Sequence, residues 1–375
     1  MTERLELDVL RAAYGDCLIV RYQNGEVPRH ILFDGGPTRC WDDALEPHLE
    51  SLWAEFKDED DQLVFELGIC SHIDRDHIRG LLELTLRLLD EADGGRPFVR
   101  FNEFWHNNLR NIVQRDDPAA HSAALASIVD ENTAALGLEN EISRAVLASY
   151  SEGNKLRQSL SRLAVTTPFV SVEDEPRERA GGLIVRVLAP SRKRIEALQK
   201  AWEVRAPDAE QLAADLDSSI PNLASIVTLL EFGAGAEKKT LLMTGDALWT
   251  DVIEGLEAHG YPVDGSAMLD VLKLPHHGSG RNVGAEFFER VPARIYVISA
   301  NGRHSNPDAK TIDMLREGRA RSRPADEPFT LVMADTLTSG KKARRKEVLA
   351  RLEALEAGGC TILRPDGVAR TLKLV

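Results

Sequence analysis

Cysteine is scarce in this chain: Cys17, Cys40, Cys70 and Cys360 are the four among 375 residues, and no two form a C-x-x-C pair. That spacing excludes a thiolate zinc site and a disulfide framework, and makes a reducing cytoplasm the expected compartment. No run reaches the roughly 18 continuous apolar residues of a membrane helix, so no membrane partner is expected. The opening Met1-Thr2-Glu3-Arg4-Leu5-Glu6-Leu7 is charged and runs into an alternating strand pattern, unlike a signal peptide. Basic residues are outnumbered 46 to 60, for a net charge of −14. This balance excludes a surface devoted to polyanions but leaves room for a local basic track. Histidine is sparse as well, with ten in the chain.

What is present is an ordinary globular composition, 43% hydrophobic and 28% charged, which excludes a mainly disordered chain. The length suits about two domains or one large α/β unit with insertions. Strands are expected over Leu5–Leu10, Cys17–Tyr22, His30–Phe33, Val64–Ile69 and Val99–Phe104, with helical spacing over Trp41–Phe56 and Leu81–Leu89. Residues 107 to 163 carry apolar positions at helical spacing throughout and read as a helical insertion. Strands return over Leu183–Leu188, Ser225–Phe232, Thr240–Thr244, Val271–Leu274, Ile295–Ser299 and Phe329–Met333, with helices near 192–214, 247–258 and 308–318. A helix near 343–356 and a hairpin turned by Asp366-Gly367 close the chain. Strand runs with helices in both halves imply an α/β protein of two sheets with helices outside.

The chemistry concentrates in Ser71-His72-Ile73-Asp74-Arg75-Asp76-His77-Ile78-Arg79-Gly80, between a strand and a helix. Imidazole and carboxylate at this spacing suit zinc, manganese or iron, because one loop can turn four such side chains to one point. The plain alternative is a solvated loop whose Asp residues cap the helix. Three more strand ends deliver the same chemistry: Trp105-His106-Asn107, Thr244-Gly245-Asp246, and Lys273-Leu274-Pro275-His276-His277-Gly278-Ser279. Any one of these alone would read as a polar strand end, and one of His276 and His277 could simply be packed. Together with the loop they point to a metal centre. A further block, Ser299-Ala300-Asn301-Gly302-Arg303-His304-Ser305-Asn306-Pro307, follows another strand. His304 there either acts on substrate, protonating a leaving group or holding a phosphoryl oxygen, or only bonds within its loop.

These residues resemble the metallo-β-lactamase-fold hydrolases, and within them the hydrolase domain of ComEC-type DNA-uptake proteins and its soluble relatives. Gly15-Asp16 before a strand, Ile31-Leu32-Phe33-Asp34-Gly35-Gly36, the His72–His77 motif with Asp74 where lactamases carry His, Asn222 and Ser225, Thr244-Gly245-Asp246, and Lys273 to Ser279 recur there in this order. The resemblance implies one αβ/βα sandwich over 1–375, with two mixed sheets, outer helices and the helical insertion at 107–163. It implies two divalent metal ions, zinc foremost, with manganese favoured more than usual by the Asp74 oxygen. His72, Asp74 and His106 would hold the first, with His121 the rival of His106. Asp76, His77 and one of His276 and His277 would hold the second, His277 being favoured by its Gly278 neighbour. Asp246 would bridge them. Asp34 would orient a ligand or the metal loop, and Asp16 either does likewise or only holds its turn. Asp76 and His304 are assigned to catalysis, and Asn222, Lys273 and Ser279 to substrate binding.

The implied activity is hydrolysis by a metal-bridged hydroxide. The ComEC-like variant and the local cations Lys273 and Arg303 favour phosphodiesters, as a phosphodiesterase or nuclease. Lys341-Lys342-Ala343-Arg344-Arg345-Lys346 reads as a solvated helix start rather than a phosphate track. The expected substrate is single-stranded nucleic acid or a small nucleotide rather than internal duplex, given the negative surface. The insertion is expected to act as a lid or to receive a protein partner. The alternatives are a small-ester or lactone hydrolase, and a metal-binding, non-catalytic partner protein in a DNA-processing or defence operon.

Overall fold

The computed structural model describes residues 3–25, 27–107, 141–196, 224–324 and 327–375. Among these, β1 (Glu3–Leu10), β2 (Leu18–Asn24), β3 (Arg29–Phe33), β4 (Leu63–Cys70), β5 (Val99–Phe101) and β6 (Phe104–His106) belong to the first sheet. β7 (Arg177–Arg179), β8 (Leu183–Ala189), β9 (Val227–Phe232), β10 (Lys239–Met243), β11 (Leu269–Lys273), β12 (Ala293–Ile298), β13 (Thr330–Met333) and β14 (Thr361–Leu363) form the second. The last strand, β15 (Ala369–Lys373), returns to the first sheet beside β1. The orders are β15-β1-β2-β3-β4-β5, with β6 also on β4, and β14-β13-β12-β11-β10-β9-β8-β7.

Both sheets are mixed. In the first, β3, β4, β5 and β6 run parallel. In the second, β10 to β14 do. The remaining pairs are antiparallel. Between the sheets lies one apolar layer, with Leu7, Val20, Ile31, Leu67 and Trp105 facing Val185, Leu230, Leu241, Val271 and Val297. Each outer face is covered by helices. Glu46–Phe56 and Arg75–Gly94 bury Leu49, Leu52, Leu81 and Leu88 on the first sheet. Trp249–Ala258, Ala285–Arg290, Ala309–Ser322 and Lys342–Ala357 bury Leu256, Phe288, Leu315 and Leu352 on the second. Covered on both faces, β9 is buried at every position. The expected αβ/βα layering is therefore present. No described helix is long and apolar enough to cross a membrane.

Two local expectations change. The C-terminal hairpin is not one: β14 pairs in parallel with β13, and β15 pairs antiparallel with β1. The Asp366-Gly367 turn is real, with Gly367 at φ 67°, but it carries the chain from one sheet to the other. Ile362 and Leu372 each find an apolar layer that a free hairpin would leave wet. The single strand over Val99–Phe104 breaks into β5 and β6, successive strands on the same edge of β4. Of the helical insertion, the described part holds the helix Glu141–Arg162, and most of the helix expected over 192–214 lies outside the described residues.

The parallel strands end together, and their carboxyl ends carry the chemistry, as is general for open α/β sheets. Glycine permits the close approach of the loops there. A Cβ on Gly80 would lie 2.0 Å from Gly35 O, and one on Gly35 2.3 Å from Leu81 N. These are backbone atoms and cannot rotate away. Gly80 sits within the helix Arg75–Gly94, where helix propensity alone makes Gly→Ala a gain of ~1 kcal/mol. Here the sign should reverse. Gly80→Ala is expected to destabilise the chain by about 1–3 kcal/mol, read as a lower urea midpoint; a raised midpoint would contradict the close packing.

Candidate metal centre

Asp246 stands at the centre of the site. It follows β10 through Gly245, whose φ of 51° turns the chain back beneath the cleft. Its amide N–H approaches Ser225 Oγ at 3.3 Å, and its carbonyl accepts from Asn282 Nδ2 at 3.0 Å. Around its carboxylate stand four imidazoles, each presenting Nε2. His77 Nε2 lies 3.4 Å from Oδ1. His72, His276 and His277 Nε2 lie 3.7, 3.5 and 3.6 Å from Oδ2.

The opposite nitrogen of His72, His77 and His276 is hydrogen-bonded by the protein, and that of His277 faces a carboxylate. His77 Nδ1 donates to Asp34 Oδ2 at 2.9 Å. Ser71 Oγ donates to the same oxygen at 2.7 Å and lies 3.1 Å from His72 Nδ1. His276 Nδ1 lies 3.1 Å from Asn282 Oδ1, and His277 Nδ1 3.3 Å from Asp16 Oδ1. Engaging Nδ1 fixes the tautomer and leaves Nε2 as the free donor atom, the usual arrangement of metal-binding histidine.

The two carboxylates of the metal loop extend the cluster on either side. Asp74 Oδ2 is 3.7 Å from His72 Nε2, and Asp76 Oδ2 is 3.3 Å from His277 Nε2. His77 and His277 point their Nε2 atoms at each other across 3.3 Å. Two such lone pairs repel unless a proton or cation sits between them. Two nitrogens on one tetrahedral zinc, at bonds of 2.0–2.1 Å, would also stand ~3.3 Å apart. His72 Nε2 and Asp246 Oδ1 are buried with no hydrogen-bond partner among the described residues. Nitrogen and oxygen donors with orphaned inner atoms fit a pair of divalent ions of the zinc or manganese kind. Asp16, His77, Asp246 and His277 place ligand-type atoms within 4.8 Å of one another.

The electrostatics follow from burial and mutual charge. Burial raises the Asp246 carboxyl, but the surrounding histidines outweigh it and hold it well below the usual range. Burial lowers His277, yet Asp246 and Asp16 drive it up to about 9. His72 falls to about 3 through burial and the His77 charge. Burial and the neighbouring Asp76 and Asp246 push Asp74 up.

Behind His277 runs a buried ion pair. Lys273 is 1% exposed; its ammonium pairs with Asp16 and donates to Gly245 O at 3.0 Å. Lys273 thus supports the Asp16 and Gly245 turns, with its ammonium 3.9 Å from Asp246 Oδ1. Ser279 is buried as well, its N–H donating to His276 O at 2.8 Å and its Oγ accepting from Arg281 N at 3.4 Å. It closes the turn that carries the histidine pair. Asn222 and His121 lie outside the described residues.

His106 ends β6, beside Cys70 on β4. It is buried, its Nε2 has no partner among the described residues, and burial with the nearby Arg157 lowers it to about 4. The helix Glu141–Arg162 packs against it: a Cβ on Gly153 would lie 3.7 Å from His106 Nε2 and 2.9 Å from Ile73 Cγ2. Glu152 of that helix pairs with Arg79 and, at 3.2 Å, with Arg75. The described part of the insertion is thereby fastened to the metal loop. His304 stands exposed, its ring edge-on to Tyr14 at 5.5 Å, and Arg303 lies over the Tyr14 ring at 4.3 Å. Partial burial holds the His304 imidazole below its ordinary pKa, against the pull of Asp76.

No protein-family model matches the chain. Among solved structures it is similar to AidC, a dizinc quorum-quenching lactonase in complex with a product, at 13% identity and a TM-score of 0.29, over 65% of this chain and 66% of that one. It is similar to MEM-A1, a subclass B3 metallo-β-lactamase from a soil metagenome library, at 11% identity and TM-score 0.29, over 94% of each chain. It is similar to the metallo-β-lactamase SMB-1 bound to 2-mercaptoethanesulfonate, at 12% identity and TM-score 0.29, over 93% of this chain and 95% of that one. Scores this low carry no functional argument, and the chemistry of the site rests on its own residues.

Sequence patterns left three supports unread: Asn282, Ser71 and the Lys273–Asp16 pair. The Gly15-Asp16 step was the available signal for the last. Asn282 and Ser71 are common polar residues whose role comes only from their neighbours.

Proposed function

We propose that this chain is a metal-dependent hydrolase of the metallo-β-lactamase superfamily, in its ComEC-like branch, and that it cleaves phosphodiesters in single strands, chain ends or small nucleotides. The observation that carries the hydrolase reading is the convergence of four Nε2 atoms on the Asp246 carboxylate. Divalent ions bound there would lower the pKa of a water and stabilise negative charge developing on the substrate. The chain's own part is to orient the four imidazoles through Asp34, Ser71, Asn282 and Asp16, and to hold Asp76 and His304 at the cleft mouth.

Support for phosphodiesters comes from cations gathered at that mouth. The Tyr14–Asp16 loop packs on Asp76, whose carbonyl accepts from Asp16 N at 3.2 Å, and Arg303 and His304 flank Tyr14. Arg345, distant in sequence, comes close to the same loop. Ser339 N donates to Asn301 O at 2.9 Å, and a Cβ on Gly302 would lie 3.6 Å from Arg345 Cγ. A short cationic patch of this size suits one or a few phosphates.

The test is a panel of a chromogenic phosphodiester, single-stranded oligonucleotide, plasmid and a chromogenic ester, assayed with the metal-loaded protein across a salt series. The diester and single strand should be cleaved fastest, with a shallow salt slope. Rapid plasmid cutting with a steep slope would contradict the substrate reading, and activity on the ester alone would move the chain to the ester or lactone hydrolases.

A further inference from the structure

We infer that both histidines of the pair are metal ligands, one for each ion, and that His106 belongs to neither set. This rests on the metal-dependent reading above. His276 joins His72, Asp74 and Asp246; His277 joins His77, Asp76 and Asp246, whose carboxylate both sets share.

Three observations carry it. The first is the conformation of the pair. His276 and His277 have φ of 48° and 55°, and two successive non-glycine residues in the left-handed region persist only where the surroundings hold them. The effect of this turn is to set the two rings nearly perpendicular, at 84°, with both Nε2 atoms on the same Asp246 oxygen. A histidine needed only for packing gives no reason for that backbone.

The second is the orienting partner. Asn282 touches both halves of the arrangement: its Oδ1 lies at His276 Nδ1 and its Nδ2 donates to the Asp246 carbonyl. His276 is thus fixed as the other three imidazoles are, although its side chain is 31% exposed where theirs are buried. A side chain open to solvent needs such a tie to keep Nε2 pointed inward.

The third is His106. Its Nε2 stands against Gly153, where a Cβ would lie 3.7 Å away, and the nearby Arg157 guanidinium adds to burial in holding the ring below its ordinary pKa. A fixed cation beside a ring opposes a divalent ion there. Among the described residues no carboxylate makes an ion-pair contact with His106, whereas His72 Nε2 lies 3.7 Å from both Asp74 and Asp246.

The experiment measures zinc bound per chain after equilibrium dialysis, by elemental analysis, for the full-length wild type, His276→Ala, His276→Gln, His106→Ala and His106→Gln. Circular dichroism identifies any variant that fails to fold, and the second variant at that position then decides. Wild type should hold about two ions, the His276 variants about one, and the His106 variants about two. Asn282→Leu should weaken one of the two ions by about 10–100-fold, the usual effect of removing a partner that orients a ligand. Loss of an ion from a folded His106 variant, or two ions retained in both His276 variants, overturns the assignment. A wild type that binds none overturns the metal-dependent reading itself, so the two failures are told apart.

Discussion

Asp246→Ala should abolish hydrolysis and strip both ions from the chain. The carboxylate is the group that all four converging imidazoles share, at 3.4 to 3.7 Å. Without it, His72 and His276 on one side and His77 and His277 on the other lose their common oxygen ligand and the negative charge that balances the ions. The loss should exceed the ~10–100-fold that follows removal of an orienting partner. Asp246→Asn keeps the shape and the backbone bonds to Ser225 and Asn282 while removing the charge. It should fail in the same way, and metal binding at wild-type affinity in Asp246→Asn would show that the bridge is not needed.

Lys273→Met should be the most destabilising single change at the site. Lys273 and Asp16 are each 1% exposed and paired, and removing one partner of a buried pair typically costs about 3–5 kcal/mol because the other charge stays behind. Burial raises the Asp16 carboxyl, but Lys273 and His277 outweigh it and hold it below its ordinary value. A carboxyl depressed in the folded state adds stability that is complete above its unfolded pKa of ~3.9. That stability is lost as the pH falls through the folded value. The penalty of Lys273→Met should therefore be largest near neutral pH and shrink on acidification, as Asp16 takes a proton. Asp16→Asn added to Lys273→Met should recover much of the stability. It should not restore metal affinity, because His277 Nδ1 has lost its carboxylate. Thermal unfolding across pH, with zinc titration of the double variant, checks both halves. A Lys273→Met chain as stable as wild type at pH 7 would refute the ion-pair account.

How much of this could be read in the sequence depends on how locally each feature is encoded. The metal loop was legible because His72, Asp74, Asp76 and His77 lie within six residues between a strand and a helix, so one turn dictates their meeting. Asp246 and the histidine pair were legible because each directly follows an apolar strand, and parallel strands bring their ends together. The burial of Lys273 was not legible, since lysine ordinarily marks solvent; it depends on Asp16, 257 positions away in the chain. Residues 341–346 are the exposed helix start that the sequence suggested, and only the approach of Arg345 to Gly302 could not be read from it. His106 read as a ligand because it ends a strand on the correct sheet edge, while its packing against the helix Glu141–Arg162 depends on residues some fifty positions away in the chain. The C-terminal turn was correct while its pairing was not, because a D-G turn specifies a reversal and tertiary packing chooses the partners.

The most direct test of the account is the metal content of the wild-type chain, purified without chelators and then loaded with zinc or manganese. Elemental analysis should find close to two ions per chain, released by acid and restored on return to neutral pH. A folded chain that carries no transition metal and takes up none on loading would contradict the convergence on Asp246 as a metal centre.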